Sequence, residues 1–211
     1  MRVSQVLWER EVLSEHANVR LFVAIELSEP LAAALAGLVE GLRGAQLDGV
    51  RLAGPRGIHL TLKFLGEVPE DRVEAVVGAV ARAAAERDAF DLALEGTGGF
   101  PAGDAPRVLW VGVTGQLPEL ASLQGDVEAA LEPLGFAGER RPFHPHLTVA
   151  RIRDGTSKED RRRALEALSA AGLPDGLWMK VSAVVLMKSV LLPGGAEYER
   201  LASMPLRELS G

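Results

Sequence analysis

The residues of this chain best suited to chemistry are two histidines, each with a threonine two positions on: His59-Leu60-Thr61-Leu62 and His146-Leu147-Thr148-Val149. With four His and five Thr in 211 residues, random placement gives about 0.1 His-x-Thr triplets, so two in matching surroundings carry information. Side chains alternate along an extended strand, so each His shares a face with its Thr while the Leu between them points the other way. An imidazole with a pKa near ~6.5 both takes and gives protons at neutral pH. Phosphoester cleavage without a metal needs a base for the nucleophile and an acid for the leaving oxygen. In-line displacement sets these on opposite sides of phosphorus. Two imidazoles supply both roles, and the Thr hydroxyls would donate to the non-bridging oxygens, where negative charge concentrates.

The elements that must position these residues read as a repeat. Residues 20–27 are apolar and partly β-branched, a buried strand. Ser28 then stands as an N-cap and Pro30 sits just inside a helix running to about Arg43, with Leu31, Leu35, Leu38, Val39 and Leu42 at helical spacing. A loop over 51–57 leads to the first motif strand, 58–65, ended by Gly66. A helix follows from Pro69 to about Arg87, then a strand over 90–94, broken by Gly96, Gly98, Gly99 and Pro101. The second half repeats the order: strand 107–113, helix 117–134, second motif strand 143–152, helix 157–171, strand 180–191. The offsets agree, 88 from Arg20 to Val108, 87 from His59 to His146, 88 from Val73 to Arg161 and 89 from Phe90 to Met179. The expected fold class is therefore α+β: two lobes related by a pseudo-twofold axis, each a mainly antiparallel sheet packed by helices, with both motif strands facing a central groove. Residues 1–18 read as an extension, and 19–211 as a single bilobal domain with repeat units of about 20–100 and 107–195.

Composition narrows the function classes. An apolar fraction of 47% supplies a core, and no apolar run reaches 18 residues. The start, Met1-Arg2-Val3-Ser4, has no signal-peptide core, and there is no Cys, so a reducing cytoplasm is the expected compartment. A net charge of −6 argues against a broad electrostatic footprint on nucleic acid. A local cationic rim is still available, because Arg51, Arg56, Lys63, Arg140, Arg141, Arg151 and Arg153 all flank the motifs. Lys63 has the strand parity of His59 and should face the groove. Arg151 has the opposite parity to His146 and reaches the groove only if the strand ends or bulges there. Phe64, Phe143 and Trp178 are the aromatics available to stack on a base, although the parity of Phe64 favours core packing. Arg161-Arg162-Arg163 reads as a solvated helix face, and His144, with no Thr partner, as a packing or capping residue.

Paired His-x-Thr strands resemble the 2H phosphoesterase superfamily. Residues 20–25, His59-Leu60-Thr61-Leu62-Lys63-Phe64-Leu65-Gly66 and Pro145-His146-Leu147-Thr148-Val149-Ala150-Arg151 are similar to its bacterial and archaeal RNA 2',3'-cyclic phosphodiesterase branch, also called 2'-5' RNA ligase. Residues 106–110 and Tyr198-Glu199-Arg200-Leu201 extend the match, which leaves only the leader uncovered. The resemblance implies metal-independent hydrolysis of a terminal RNA 2',3'-cyclic phosphate to a 2'-phosphate, with weak reverse 2'-5' ligation. It makes His59 and His146 the acid/base pair, Thr61 and Thr148 the phosphate donors, and Arg151 an auxiliary phosphate ligand; Lys63 joins the candidates on its strand parity. Opening the ring to a 2'-phosphate makes the 3'-oxygen the leaving group, and the assignment favoured is His146 as base and His59 as acid. No cofactor or metal is called for. The expected partners are RNA 3' ends or nucleoside 2',3'-cyclic phosphates, tRNA fragments among them, acted on by a monomer without a membrane. Two other readings compete: a zinc hydrolase using His59, His144 and His146, and a non-catalytic RNA-end binding module.

Overall fold

The computed structural model describes residues 17–54, 57–174, 176–192 and 195–208. The expected extension over 1–18 falls outside them except for its last two residues. The described elements are β1 (Asn18–Ile25), α1 (Glu29–Gly44), β2 (Val50–Leu52), β3 (Leu60–Pro69), α2 (Val73–Ala85), β4 (Phe90–Phe100), β5 (Val108–Gly115), α3 (Leu117–Leu131), β6 (His146–Ile152), α4 (Lys158–Ala171), β7 (Trp178–Val181), β8 (Ala183–Leu192) and β9 (Gly195–Pro205). The helices form for the reasons the sequence offers. In α1, Pro30 sits in the first turn and Leu31, Leu35, Leu38, Val39 and Leu42 are buried. In α4, the Ser157 hydroxyl accepts from Asp160 N at 3.0 Å, a cap worth about 1 kcal/mol.

The nine strands form one curled sheet in the order β7-β4-β5-β6-β3-β1-β8-β9, with β2 also paired to β6. Every strand pairing is antiparallel. The order is symmetric about the junction of β3 and β6: β8-β1-β3 on one side mirrors β4-β5-β6 on the other. Each triplet borrows a strand from the opposite half of the sequence. The helices cover one face, over a large core that includes Leu21, Val23, Leu60, Leu62, Leu147 and Val149. Alternate residues Phe22, Ala24, Val185 and Met187 pack with Tyr198 on the opposite face, which carries the motif side chains.

The structure differs from the expected elements in several places. Gly66 does not end the first motif strand: β3 runs through it, at φ +73°, to Pro69, and β6 begins at His146 and not at 143. The strand expected over 180–191 is split at Ser182: β7 joins β4 while β8 joins β1. A loop was expected at 51–57, yet Val50–Leu52 forms β2 along β6. The segment β9 pairs with β8 through most of its length, beyond the four-residue tail singled out by resemblance. Finally, β4 continues to Phe100 through the glycines expected to break it. A register shift between Leu94 and Thr97 absorbs Glu95 and Gly96, with Gly96 at φ +72°. Gly98 is needed for space, because a Cβ there would lie 2.4 Å from the Trp110 ring.

Candidate active site

The two motif strands meet at one residue pair, Leu60 opposite Leu147. In an antiparallel ladder this register sets Thr61 opposite His146 and His59 opposite Thr148. Each imidazole therefore faces the other motif's hydroxyl, and the two imidazoles are diagonal neighbours, roughly 7 Å apart at their base. Both leucines are buried in the core, which locks the four polar side chains to the open face.

Immediately after each Thr the strand bulges. On β6, Trp110 pairs with Thr148 and Leu109 with Ala150, so Val149 is an extra residue. Val149 and Ala150 both point into the core, and Arg151 is returned to the open face. This is the bulge that the parity of Arg151 required. On β3, Ala24 pairs with Thr61 and Val23 with Lys63, so Leu62 is the extra residue. Leu62 and Lys63 are both buried, and Phe64 emerges on the open face, 68% exposed and 5.9 Å from Phe22. Two expectations are corrected by this bulge. Lys63 does not face the groove: it is 6% exposed and donates to Glu128 Oε2 at 2.5 Å and to the Ala137 carbonyl at 2.8 Å. Phe64 is not a core residue.

The two imidazoles sit in different surroundings. His59 stacks on Phe22 at 4.5 Å and meets the edge of Tyr198 at 5.0 Å. Its Nδ1 is buried without a hydrogen-bond partner among the described residues. Burial lowers its pKa to about 4, and the nearby positive charge of Arg151 acts in the same direction. His59 is thus neutral at pH 7. His146 has Nδ1 2.7 Å from the His144 carbonyl. A carbonyl only accepts, so Nδ1 carries the proton and Nε2 of the neutral ring is a bare lone pair. Phe100 meets the His146 ring edge-on at 5.0 Å.

Sequence reasoning did not single out Tyr198, Phe22 or Phe100 as neighbours of the imidazoles. Phe22 alone had a usable signal, as the residue out of phase with core-facing Leu21 and Val23. Phe143 packs against the core, and Trp178 lies on the outermost strand β7. Arg161 is not solvated: it is 8% exposed and donates to the carbonyls of Thr156, Arg153 and Pro106. Arg162 and Arg163 do form the solvated face, paired with Glu159, Glu166 and Asp160. Among the described residues no group of three or more His, Asp or Glu is arranged to hold a metal ion, and His144 contributes its carbonyl to His146. A hollow of about 450 Å³ lined by Arg87, Asp88, Gln116 and Arg207 lies elsewhere. It contains no His, and its cations are paired with Asp126 and Asp88.

With this geometry in hand, comparison with known proteins identifies the family. The chain belongs to the 2'-5' RNA ligase superfamily, which it matches over residues 16–190. It is 36% identical over 143 residues to an RNA 2',3'-cyclic phosphodiesterase of Aeropyrum pernix, covering 68% of this chain and 78% of that protein. A protein of the same name from Archaeoglobus fulgidus is 32% identical over 184 residues, covering 87% and 98%. Among solved structures, TT0787 of Thermus thermophilus superimposes with a TM-score of 0.72 at 30% identity, covering 90% of this chain and 98% of that one. Apo LigT of E. coli does so with a TM-score of 0.69 at 26% identity, covering 90% and 98%. The α+β architecture expected from the repeat is the one these structures share. No helix among the described residues is long and apolar enough to cross a membrane.

Proposed function

We propose that this chain hydrolyses RNA terminal 2',3'-cyclic phosphates to 2'-phosphates by two-histidine acid/base catalysis. The name shared by its relatives supports the hydrolase class and substrate. The observation that carries the mechanism is the Leu60–Leu147 register, which sets two imidazoles diagonally across two hydroxyls. A phosphate between the strands receives hydrogen bonds from Thr61 and Thr148, with a proton carrier on either side. The guanidinium of Arg151 adds charge stabilisation at the same face.

The tautomers distinguish the two roles. His146 presents a lone pair at Nε2, fixed by its bond to the His144 carbonyl, and takes a proton from the attacking water. His59 has an orphaned Nδ1 among aromatic rings. A bare lone pair is tolerated there more cheaply than an unpaired N–H, so the proton resides on Nε2 and points to the groove. To donate toward the 3'-oxygen His59 takes up a second proton and reacts as the imidazolium, a charge that the anionic phosphate in the groove favours against the burial. It gives up its Nε2 proton and returns to the neutral ring. The water oxygen bonds to phosphorus, the bond to the 3'-oxygen breaks, and that oxygen leaves as a hydroxyl. Phe64 and Tyr198 form a wall beside His59 on which the terminal base stacks. Reverse 2'-5' ligation uses the same atoms with a 5'-hydroxyl in place of water. The domain reading follows: residues 19–211 act as one bilobal unit, because neither half holds both imidazoles.

The test is incubation of chelator-treated protein with a nucleoside 2',3'-cyclic phosphate, identifying the product isomer. A 2'-phosphate is expected. A 3'-phosphate reverses the leaving oxygen, and activity recovered only with zinc replaces this reading by a metal hydrolase.

A further inference from the structure

On the groove face, β6 carries more cation than one phosphate can use. Arg151 stands opposite Arg51 of β2, so the two exposed guanidinium groups share a face with their Cβ atoms roughly 5 Å apart. Arg153 N donates to the Gly49 carbonyl at 2.8 Å, which prolongs the ladder by one residue. With Ile152 buried, alternation returns Arg153 to the face of Arg151. Three arginines therefore converge beyond Thr148 and His59. Like charges directly opposed across strands destabilise a sheet unless something answers them. Among the described residues, none of the three has a salt bridge, whereas Arg43, Arg87, Arg107, Arg162, Arg163, Arg200 and Arg207 each have one. The acid next to Arg153 in sequence, Asp154, is engaged by Arg107 at 3.6 Å, and Asp48, three residues before Arg51, forms no salt bridge with it among the described residues. What sets this place apart from Arg20, Arg82 and Arg140, which also have no salt bridge among the described residues, is two arginines directly opposed with a third beside them, and that opposition points to an external anion.

The backbone carrying the three is held firmly. Buried Arg161 donates to the Arg153 carbonyl at 3.0 Å and to that of Pro106 at 3.1 Å, pinning the end of β6 to the start of β5. Gly49, at φ +72°, lies so close to Thr156 that a Cβ would sit 2.2 Å from its hydroxyl, which fixes the entry to β2. The backbone positions that carry the three cations are thus set before any ligand arrives, and a guanidinium fork matches phosphate oxygens.

We propose that Arg51 and Arg153, flanking Arg151, form a second anion site that binds a backbone phosphodiester of the RNA whose cyclic end is in the groove. This rests on the function proposed above. With His59 protonating the 3'-oxygen, the terminal ribose lies on the His59 side. The next groove residues on that side are Arg151 and Arg51. The protein then distinguishes an oligonucleotide from a mononucleotide without reading its sequence, because phosphate contacts carry position and not base identity.

The test compares kcat/KM for a nucleoside 2',3'-cyclic phosphate with that for a tetraribonucleotide ending in the same cyclic phosphate, in wild type, R51Q and R153Q. Thermal unfolding confirms that the variants fold. The wild-type preference for the tetranucleotide should fall about tenfold in R51Q, and its logarithmic salt slope should shrink by about 0.7 for the lost contact. An unchanged preference overturns the proposal. An equal loss on both substrates also overturns it, by assigning Arg51 to the reacting phosphate. If wild type turns over neither substrate, the cyclic phosphodiesterase reading fails on its own. Anisotropy of a labelled tetranucleotide bearing a 3'-phosphate then decides: weaker binding by R51Q upholds the anion site, and equal binding ends it.

Discussion

The motif strands β3 and β6 begin alike and end differently, and the difference separates scaffold from chemistry. Both run His, Leu, Thr and then an apolar residue that is itself the bulge, so both bulges fall at the same distance from the His. Residues 87 apart therefore correspond: Lys63 with Ala150, both turned to the core, and Phe64 with Arg151, both turned to the groove. One half presents an aromatic face where the other presents a cation. A nucleotide has the same polarity, base at one end and phosphate at the other. The buried Lys63 is answered by Glu128, so it ties β3 to α3 and to the loop that leads to His144.

The largest effect expected is on the proton carriers. His59→Ala and His146→Ala should each lower kcat/KM by about 10³-fold, with nucleotide binding by calorimetry largely retained. Turnover preserved in both variants breaks the pairing of the halves. Next come the hydroxyls: Thr61→Val and Thr148→Val should each cost on the order of 10²-fold in kcat. Similar losses are expected because the register makes the two equivalent, and a loss in one alone would mean that a single strand holds the phosphate.

The bulges are tested by Lys63 and Arg151 together. Arg151→Met should reduce kcat/KM on the order of 30-fold with unchanged thermal stability. Lys63→Met should act on stability, lowering it by about 2 kcal/mol because the half-buried Glu128 loses its cation. Adding Glu128→Leu should recover most of that loss, and failure to recover would assign Lys63 a role beyond the ion pair. A smaller effect is expected of Phe64→Ala, a rise in KM of about tenfold from lost base stacking, seen with purine substrates and without a shift in melting temperature.

The smallest signal is the titration of His59. Arg151→Met should move its pKa above about 4 but leave it below 6.5, since burial is the larger cause, and NMR titration of the imidazole reads this directly. An unmoved pKa would mean that the Arg151 charge does not reach His59. Because the folded pKa is the lower one, this group's contribution is complete above pH 6.5. It is lost as pH falls toward 4, where protonation favours the unfolded chain.

Much of this was legible in the sequence because it is local. Helical spacing of Leu31, Leu35 and Leu38 and the alternation around each motif depend on near neighbours, and the structure has them; Ser28 holds the N-cap position expected of it, but its hydroxyl makes no capping bond. Parity counting failed at Lys63 and Phe64 for one reason: a bulge adds a residue on one strand according to how its partner packs. No side chain in His59-Leu60-Thr61-Leu62-Lys63 announces it. The short strand β2 was missed because three residues carry too little pattern. Arg161 was misread because a run of three arginines looks uniform, while only the first faces the turn carbonyls.

By itself, then, the sequence determined that two equivalent strands each carry an imidazole and a hydroxyl on one face, since that follows from a period of two and an offset of 87. Only the tertiary structure decided which further residues join them and how the two imidazoles differ. Those outcomes rest on the Leu60–Leu147 register, on two bulges, and on one carbonyl that reaches His146 but has no counterpart at His59 among the described residues. The register and the bulges are contacts between distant segments, set when the sheet closes and not before. The carbonyl is aimed by the path of the chain into β6, which the same closure fixes.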